Sequence, residues 1–198
     1  MAARLYLAST SRYRATQLER LGLPFSIEAP EVNEATVAGE APRDRARRLA
    51  AAKAAAVSSR HPQDWVLGSD QVAVCAGRIH DKPGSAHHCQ VQLRASSGQA
   101  VEFHTAVALM CGQPSAVHEH VDYTIVRFRQ ITDHEIARYV ERERPFDCAG
   151  GFRCEGLGVT LFEAVETLDP TALVGLPLIW VAQALRAVGP DPLGSDQA

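Results

Sequence analysis

The residues of this chain best suited to chemistry surround one acid. Asp70 lies in the run Val66-Leu67-Gly68-Ser69-Asp70-Gln71-Val72-Ala73-Val74, whose apolar, β-branched flanks read as a buried strand. A carboxylate there is costly to bury unless a cation pairs with it or it serves a reaction. Lys53 stands upstream, and Lys82 follows twelve residues on, in Asp81-Lys82-Pro83. One acid with lysines around it suggests an anionic substrate held beside a general base or a metal ligand. The plainer alternative is an acid that caps a turn at a strand end, with lysines that are merely solvated.

A second anion-binding arrangement stands near the N-terminus. Leu5-Tyr6-Leu7-Ala8 reads as a strand, Ser9-Thr10-Ser11 as a hydroxyl-rich turn, and Arg12 to Leu21 as a helix. Strand, turn and helix in that order aim hydroxyls and backbone N–H groups at one point, where the helix dipole favours negative charge. Arg14 in the first turn can add a bidentate phosphate contact. Simple N-capping by Ser9 or Ser11 would also account for the turn.

These groups need a scaffold, and the composition supplies an ordinary one. The 198 residues are 46% hydrophobic and 22% charged, enough for one α/β domain, or one domain with a modest second lobe, with a proper core. A formal net charge of −3 argues against nucleic-acid binding, which needs a basic footprint. Five cysteines without a Cys-x-x-Cys fit free thiols in a reducing compartment. There is no signal-peptide block and no apolar stretch of membrane-spanning length, so the expected location is cytoplasmic and the expected partners exclude membranes.

Along the chain, Phe25 to Ala29 reads as a strand, followed by an acidic loop with Glu31, Asn33 and Glu34. Pro42 opens a helix to about Ser59, with Lys53 on or beside its apolar face. Ala86 to Ala95 predicts another helix. Val101 to Met110 and Val117 to Phe128 predict an antiparallel hairpin around Gly112-Gln113-Pro114-Ser115. Thr132-Asp133-His134-Glu135 is a capping box for a helix to about Arg142. Thr160 to Val165 predicts a strand, and Val174-Gly175-Leu176-Pro177 the start of the last helix. Residues 190–198 read as a polar, disordered tail behind a single domain over residues 1–189. His87-His88-Cys89 and His118-x-His120 are the only histidine clusters, and neither offers a zinc ligand set. Cys148 and Cys154 read as core or turn thiols.

Several short motifs occur in register: Leu7-Ala8-Ser9-Thr10-Ser11 with Arg14, Pro30-Glu31-Val32 with Glu34, Ala52-Lys53-Ala54, Gly68-Ser69-Asp70, Lys82-Pro83, Ala149-Gly150 and Gly175-Leu176-Pro177-Leu178. In this order they resemble the Maf family of nucleoside triphosphate pyrophosphatases, from about Leu5 to Leu185. The resemblance implies a two-lobed α/β fold with a mixed, partly antiparallel central sheet flanked by helices and an active-site cleft between the lobes. It also implies a homodimer, a divalent cation such as magnesium or manganese, and hydrolysis of a nucleoside triphosphate to the monophosphate and pyrophosphate. On that resemblance Asp70 is the proton acceptor, Glu34 and Asp70 hold the metal, and Ser9, Ser11, Arg14, Lys53 and Lys82 hold the phosphates.

Three positions depart from the family pattern. Asn33 replaces an acid usually found before Glu34, which removes one negative charge but leaves a side-chain carbonyl that can still coordinate. Arg12 stands where a proline is usual, and Ala15 where a basic residue is. Tyr13, Gln71 and Glu155 resemble the family's 7-methyl-GTP branch, not the pyrimidine branch. Chemistry agrees, because an aromatic ring can stack on a cationic base and a carboxylate can accept from the guanine N1–H and N2 amine. The expected role is house-cleaning removal of modified nucleotides. The alternatives are a dTTP/UTP pyrophosphatase or a catalytically silent nucleotide-binding regulator of cell division.

Overall fold

The computed structural model describes residues 3–113 and 115–194. Pro114 of the expected hairpin turn and residues 195–198 of the expected tail lie outside them. The elements are β1 (Leu5–Ala8), α1 (Arg12–Glu19), β2 (Ser26–Glu28), α2 (Pro42–Ser58), β3 (Trp65–Cys75), β4 (Arg78–Ile79), α3 (Ala86–Ser96), β5 (Ala100–Cys111), β6 (Ala116–Phe128), α4 (Asp133–Glu143), β7 (Phe162–Glu166) and α5 (Leu178–Val188). Short 3-10 turns cover Ala149–Gly151, Leu157–Leu161 and Ala172–Val174. The sheet runs β2-β1-β3-β5-β6-β7, with β4 paired to β3. It is mixed: β1 is parallel to β2 and β3, while β4 and β7 pair antiparallel. This is the α/β class that the sequence predicts.

The chain forms two compact units: residues 1–70, 105–121 and 169–198 in one, 71–104 and 122–168 in the other. In the first, β1 lies between β2 and β3 with Leu7 opposite Leu67 and Ala8 opposite Gly68. Both faces of β1 and of the adjoining start of β3 are covered, which is why Leu5, Leu7, Val66 and Leu67 are all buried. On one face Leu5, Leu7, Leu67, Val107 and Leu109 pack with Leu18 of α1 and Val181 and Leu185 of α5. On the other, Ala8, Val66 and Ala108 meet Ala54 and Val57 of α2.

That second contact is unusually close. A Cβ added at Gly68 would lie 2.3 Å from the Ala50 carbonyl oxygen and 2.6 Å from the Ala54 nitrogen. Glycine on the strand and alanines on the helix therefore let α2 press its backbone against β3. Lys53, next to Ala54, and Asp70, two residues after Gly68, are brought together by that approach.

In the second unit four phenylalanines, Phe103, Phe128, Phe152 and Phe162, form an edge-to-face cluster with centroids 4.9–5.4 Å apart. The capping box of α4 is present, with the Thr132 hydroxyl accepting from the Glu135 N–H and the Glu135 carboxylate accepting from the Thr132 N–H. Glu135 also accepts from Arg129 at 2.8 Å, and these bonds, led by the Arg129 one, bring its pKa down to about 2.

Two predicted boundaries are corrected. Residues 157–161 wind into a 3-10 turn before β7, so the strand begins at Phe162 and not at Thr160. The Thr160 hydroxyl donates to the Leu157 carbonyl at 2.7 Å, a local bond that favours turn over strand. The last helix begins at Leu178, not at Val174. Val174 ends a 3-10 turn and Gly175, at φ 128°, breaks the path before Pro177 caps α5.

Candidate active site

In the first unit, Asp70 is buried on β3 and its carboxylate accepts from Lys53 Nζ at 2.7 Å. Lys53 is itself buried on α2, and the same ammonium lies 2.9 Å from Glu34 Oε1. Of the two outcomes open to a lysine beside an apolar helix face, snorkelling outward or reaching inward, the inward one holds. The buried ammonium thus bridges two acidic side chains. Glu34 projects from the loop before α2, which Arg48 fastens by donating to both oxygens of Glu40 at 2.6 and 2.7 Å and to the Ala35 carbonyl at 3.4 Å. The Asn33 side-chain oxygen accepts from the Ala35 N–H at 2.9 Å, so it shapes this loop from within.

The serine turn and Arg14 form the adjoining part of the same unit. Ser11 caps α1 by accepting from the Arg14 N–H, as the plain N-cap alternative holds. Ser9 is buried, and its oxygen accepts from the Ser11 N–H at 3.1 Å and from Arg14 Nη1 at 3.5 Å. Arg14 Nε donates to the Gly175 carbonyl at 3.2 Å. Desolvation lowers the Arg14 pKa, and the negative charges of Asp70 and Glu34 partly oppose that shift. Nothing in that environment removes the guanidinium's charge. Tyr13 follows Arg12, whose guanidinium lies 4.9 Å from the ring centroid and donates to the phenol oxygen at 2.9 Å. The ring thus already accepts a cation on its face.

Three more of the expected residues belong to the second unit. Gln71 is half-buried on β3. Lys82 is exposed on the loop before α3. That loop is held by its backbone: Gly150 N–H donates to the His80 carbonyl, Gly84 N–H to the Phe146 carbonyl, and the Gln92 amide to the Asp81 carbonyl at 2.8 Å. Glu155 is exposed in the turn after Cys154, whose thiol donates to it at 3.2 Å. Burial and the neighbouring Glu155 push the Cys154 thiol up to about 12, consistent with an inert turn thiol.

The Asp70 and Glu34 carboxylates converge on one ammonium, so they lie within reach of a single cation. Two hard oxygen donors suit magnesium or manganese, which take one or two protein carboxylates and complete their shell with water and phosphate. Among the described residues no group of three or more His, Cys, Asp or Glu side chains could hold a metal alone. The donor set therefore fits a cation that arrives with phosphates. His118 and His120, which share a strand face, lie against Trp65 and Trp180.

The family model described as Maf-like protein matches residues 4–188. The chain belongs to the Maf-like family. A relative named 7-methyl-GTP pyrophosphatase from Xanthomonas oryzae pv. oryzae (strain KACC10331 / KXO85) is 53% identical over 189 residues, 96% of this chain and 98% of that protein. One of the same name from Xanthomonas axonopodis pv. citri (strain 306) is 51% identical over 186 residues, covering 94% and 97%. Another from Aromatoleum aromaticum (strain DSM 19018 / LMG 30748 / EbN1) is 49% identical over 187 residues, covering 94% and 96%.

In this Maf-like chain the structure also gives contacts to residues for which the sequence offered no role. Ser69, fully buried, donates to the Gly175 carbonyl at 2.8 Å. Asp169 and Thr171 bind each other and cap α5 through the Ile179 and Leu178 N–H groups. Gln17 of α1 donates to the Thr171 carbonyl at 2.7 Å. The only sequence signal was the placement of Ser69 and Gly175 inside the motifs, which carries no information about their meeting.

Proposed function

We propose that this protein is a nucleoside triphosphate pyrophosphatase that hydrolyses 7-methyl-GTP to the monophosphate and pyrophosphate. The observation that carries the reading is the buried Asp70–Lys53 pair, with the exposed Glu34 on the same ammonium, in a chain about half identical to proteins bearing that name. In the reaction water attacks the α-phosphorus, a new P–O bond forms, and the anhydride bond to the β-phosphate breaks. Catalysis of this kind rests on positioning and charge neutralisation. Asp70 accepts the proton of the attacking water. Lys53 holds only Oδ1 of Asp70, which leaves the second carboxylate oxygen clear of the ammonium to take that proton.

Arg14, Ser9 and Ser11 hold phosphate oxygens beside the start of α1, where the helix dipole adds to the attraction. Lys82 shares the phosphate role and neutralises charge on the departing pyrophosphate. A divalent cation held by Asp70 and Glu34 would supply further neutralisation of phosphate charge. Tyr13, Gln71 and Glu155 are assigned to the base: the ring to the cationic methylguanine, and Glu155 to its N1–H and amine. The setting we propose is a cytoplasmic homodimer. Free thiols fit a reducing compartment, and light scattering at twice the 21.4 kDa chain mass would check the dimer.

The test is pyrophosphate release from 7-methyl-GTP, GTP, dTTP and UTP with magnesium or manganese, beside Asp70→Asn. Preferential release from 7-methyl-GTP that vanishes in the variant is the expected result. Preference for dTTP or UTP would remove Tyr13, Gln71 and Glu155 from base reading. Tight binding without release from any of the four would favour the regulator.

A further inference from the structure

We infer that Ser69 is a positioning residue: its hydroxyl fixes the Gly175 carbonyl, and that carbonyl aims the Arg14 guanidinium at its anion. The inference rests on reading Arg14 as a phosphate-binding group. One carbonyl oxygen accepts two hydrogen bonds here, from Ser69 Oγ at 2.8 Å and from Arg14 Nε at 3.2 Å. A carbonyl has two lone pairs, so both bonds can be held together. Ser69 is wholly buried, and its hydroxyl has no water to fall back on.

The rest of the loop keeps this carbonyl from turning. Gly175 adopts φ 128° and ψ 0°, a conformation that side-chain-bearing residues rarely enter, and Pro177 fixes the backbone two residues on. Upstream, the Ala172 carbonyl accepts from the Thr105 hydroxyl at 3.1 Å and the Thr171 carbonyl from Gln17. Downstream, the Leu178 and Ile179 N–H groups are tied to Thr171 and Asp169. A Cβ at Gly175 would meet Arg14 Nε at 3.3 Å and Cγ at 3.4 Å, a tight approach that would push on the Arg14 side chain.

Arg14 needs this support because its own partners are few. Of the five N–H donors of its guanidinium, two are used, on Ser9 and Gly175, and the remainder have no protein acceptor among the described residues. A planar, forked donor is useful for phosphate only when its plane is set in advance. The Nε bond to Gly175 sets that plane, and Ser69 holds the acceptor still. Ser69 thus acts on the ligand through Arg14 without touching it.

The test is a double-mutant cycle read by calorimetric binding of inorganic tripolyphosphate without metal, using wild type, Ser69→Ala, Arg14→Lys and the double variant. In the wild-type background Ser69→Ala is expected to weaken binding about fivefold, the scale of one hydrogen bond. In the Arg14→Lys background, where no fork remains to be aimed, the same change should cost less than about twofold. Equal losses in both backgrounds would overturn the proposal, since a merely structural role of Ser69 does not depend on Arg14. Ser69→Cys, of similar shape with a weaker donor, carries the same cycle if Ser69→Ala does not fold. Wild-type protein that fails to bind tripolyphosphate would overturn the phosphate reading itself, and the proposal with it. Binding with additive losses would overturn the proposal alone.

Discussion

Asp70 and Lys53 illustrate how one pair of side chains can store a site in a ready state. Their contact at 2.7 Å pairs two buried groups and holds the ammonium away from solvent. Asp70→Asn keeps the shape and removes the proton acceptor. It is expected to lower pyrophosphate release by a factor of about 100 or more, the usual worth of a general base, while nucleotide affinity stays within a few-fold. Steady-state release beside calorimetric binding separates the two quantities. Glu155→Gln exchanges an acceptor-only group for one that both donates and accepts. The expected outcome is a fall of about tenfold in the preference for 7-methyl-GTP over UTP, measured as a ratio of kcat/KM. An unchanged ratio would take Glu155 out of base recognition.

At the scale of elements, the decisive contact is α2 against β3. Gly68→Ala would drive a methyl group into the backbone of α2, which cannot yield as a flexible side chain would. The expected cost is about 1–3 kcal/mol or more in denaturant unfolding, together with lost activity as Lys53 and Asp70 are pushed apart. The capping box of α4 gives a prediction of opposite character. The folded-state pKa of Glu135 is lowered to about 2, chiefly by the Arg129 hydrogen bond. A depressed carboxylate contributes stability that is present above its unfolded pKa and is lost as pH falls through the folded value. Glu135→Gln should therefore be less stable than wild type at pH 7, and the difference should shrink between about pH 4.3 and pH 2. Urea unfolding of both proteins across that range checks the sign. Activity at neutral pH should not change, because α4 carries none of the proposed site residues.

At the scale of the whole molecule, β3, β5 and β6 each contribute residues to both compact units. No strand can dissolve in one unit without disturbing its continuation in the other. Unfolding followed by tryptophan fluorescence, which reports on Trp65 and Trp180 of the first unit, should coincide with loss of far-ultraviolet circular dichroism from both. Separated transitions would show that the two units unfold independently. No helix among the described residues is long and apolar enough to cross a membrane.

The sequence by itself determined the elements whose signals are local. Pro42 with its alanine run, the Thr132–Glu135 box and the β-branched flanks of Asp70 each act within a few residues, and each predicted element is present. Composition argued against a nucleic-acid partner for an equally simple reason, the lack of a basic surplus, and that remains an expectation. The motif order pointed to the family and, through it, to Asp70, Lys53, Glu34 and Arg14 as candidates. Only the tertiary structure decided that Lys53 turns inward to join Asp70 and Glu34, because that depends on how closely a glycine lets a helix approach a strand. Likewise, no spacing rule links Ser69 to Gly175, which are 106 residues apart and meet through one carbonyl oxygen. Local propensity operates along the chain, whereas a shared acceptor or a buried ion pair exists only once distant backbones have been packed together.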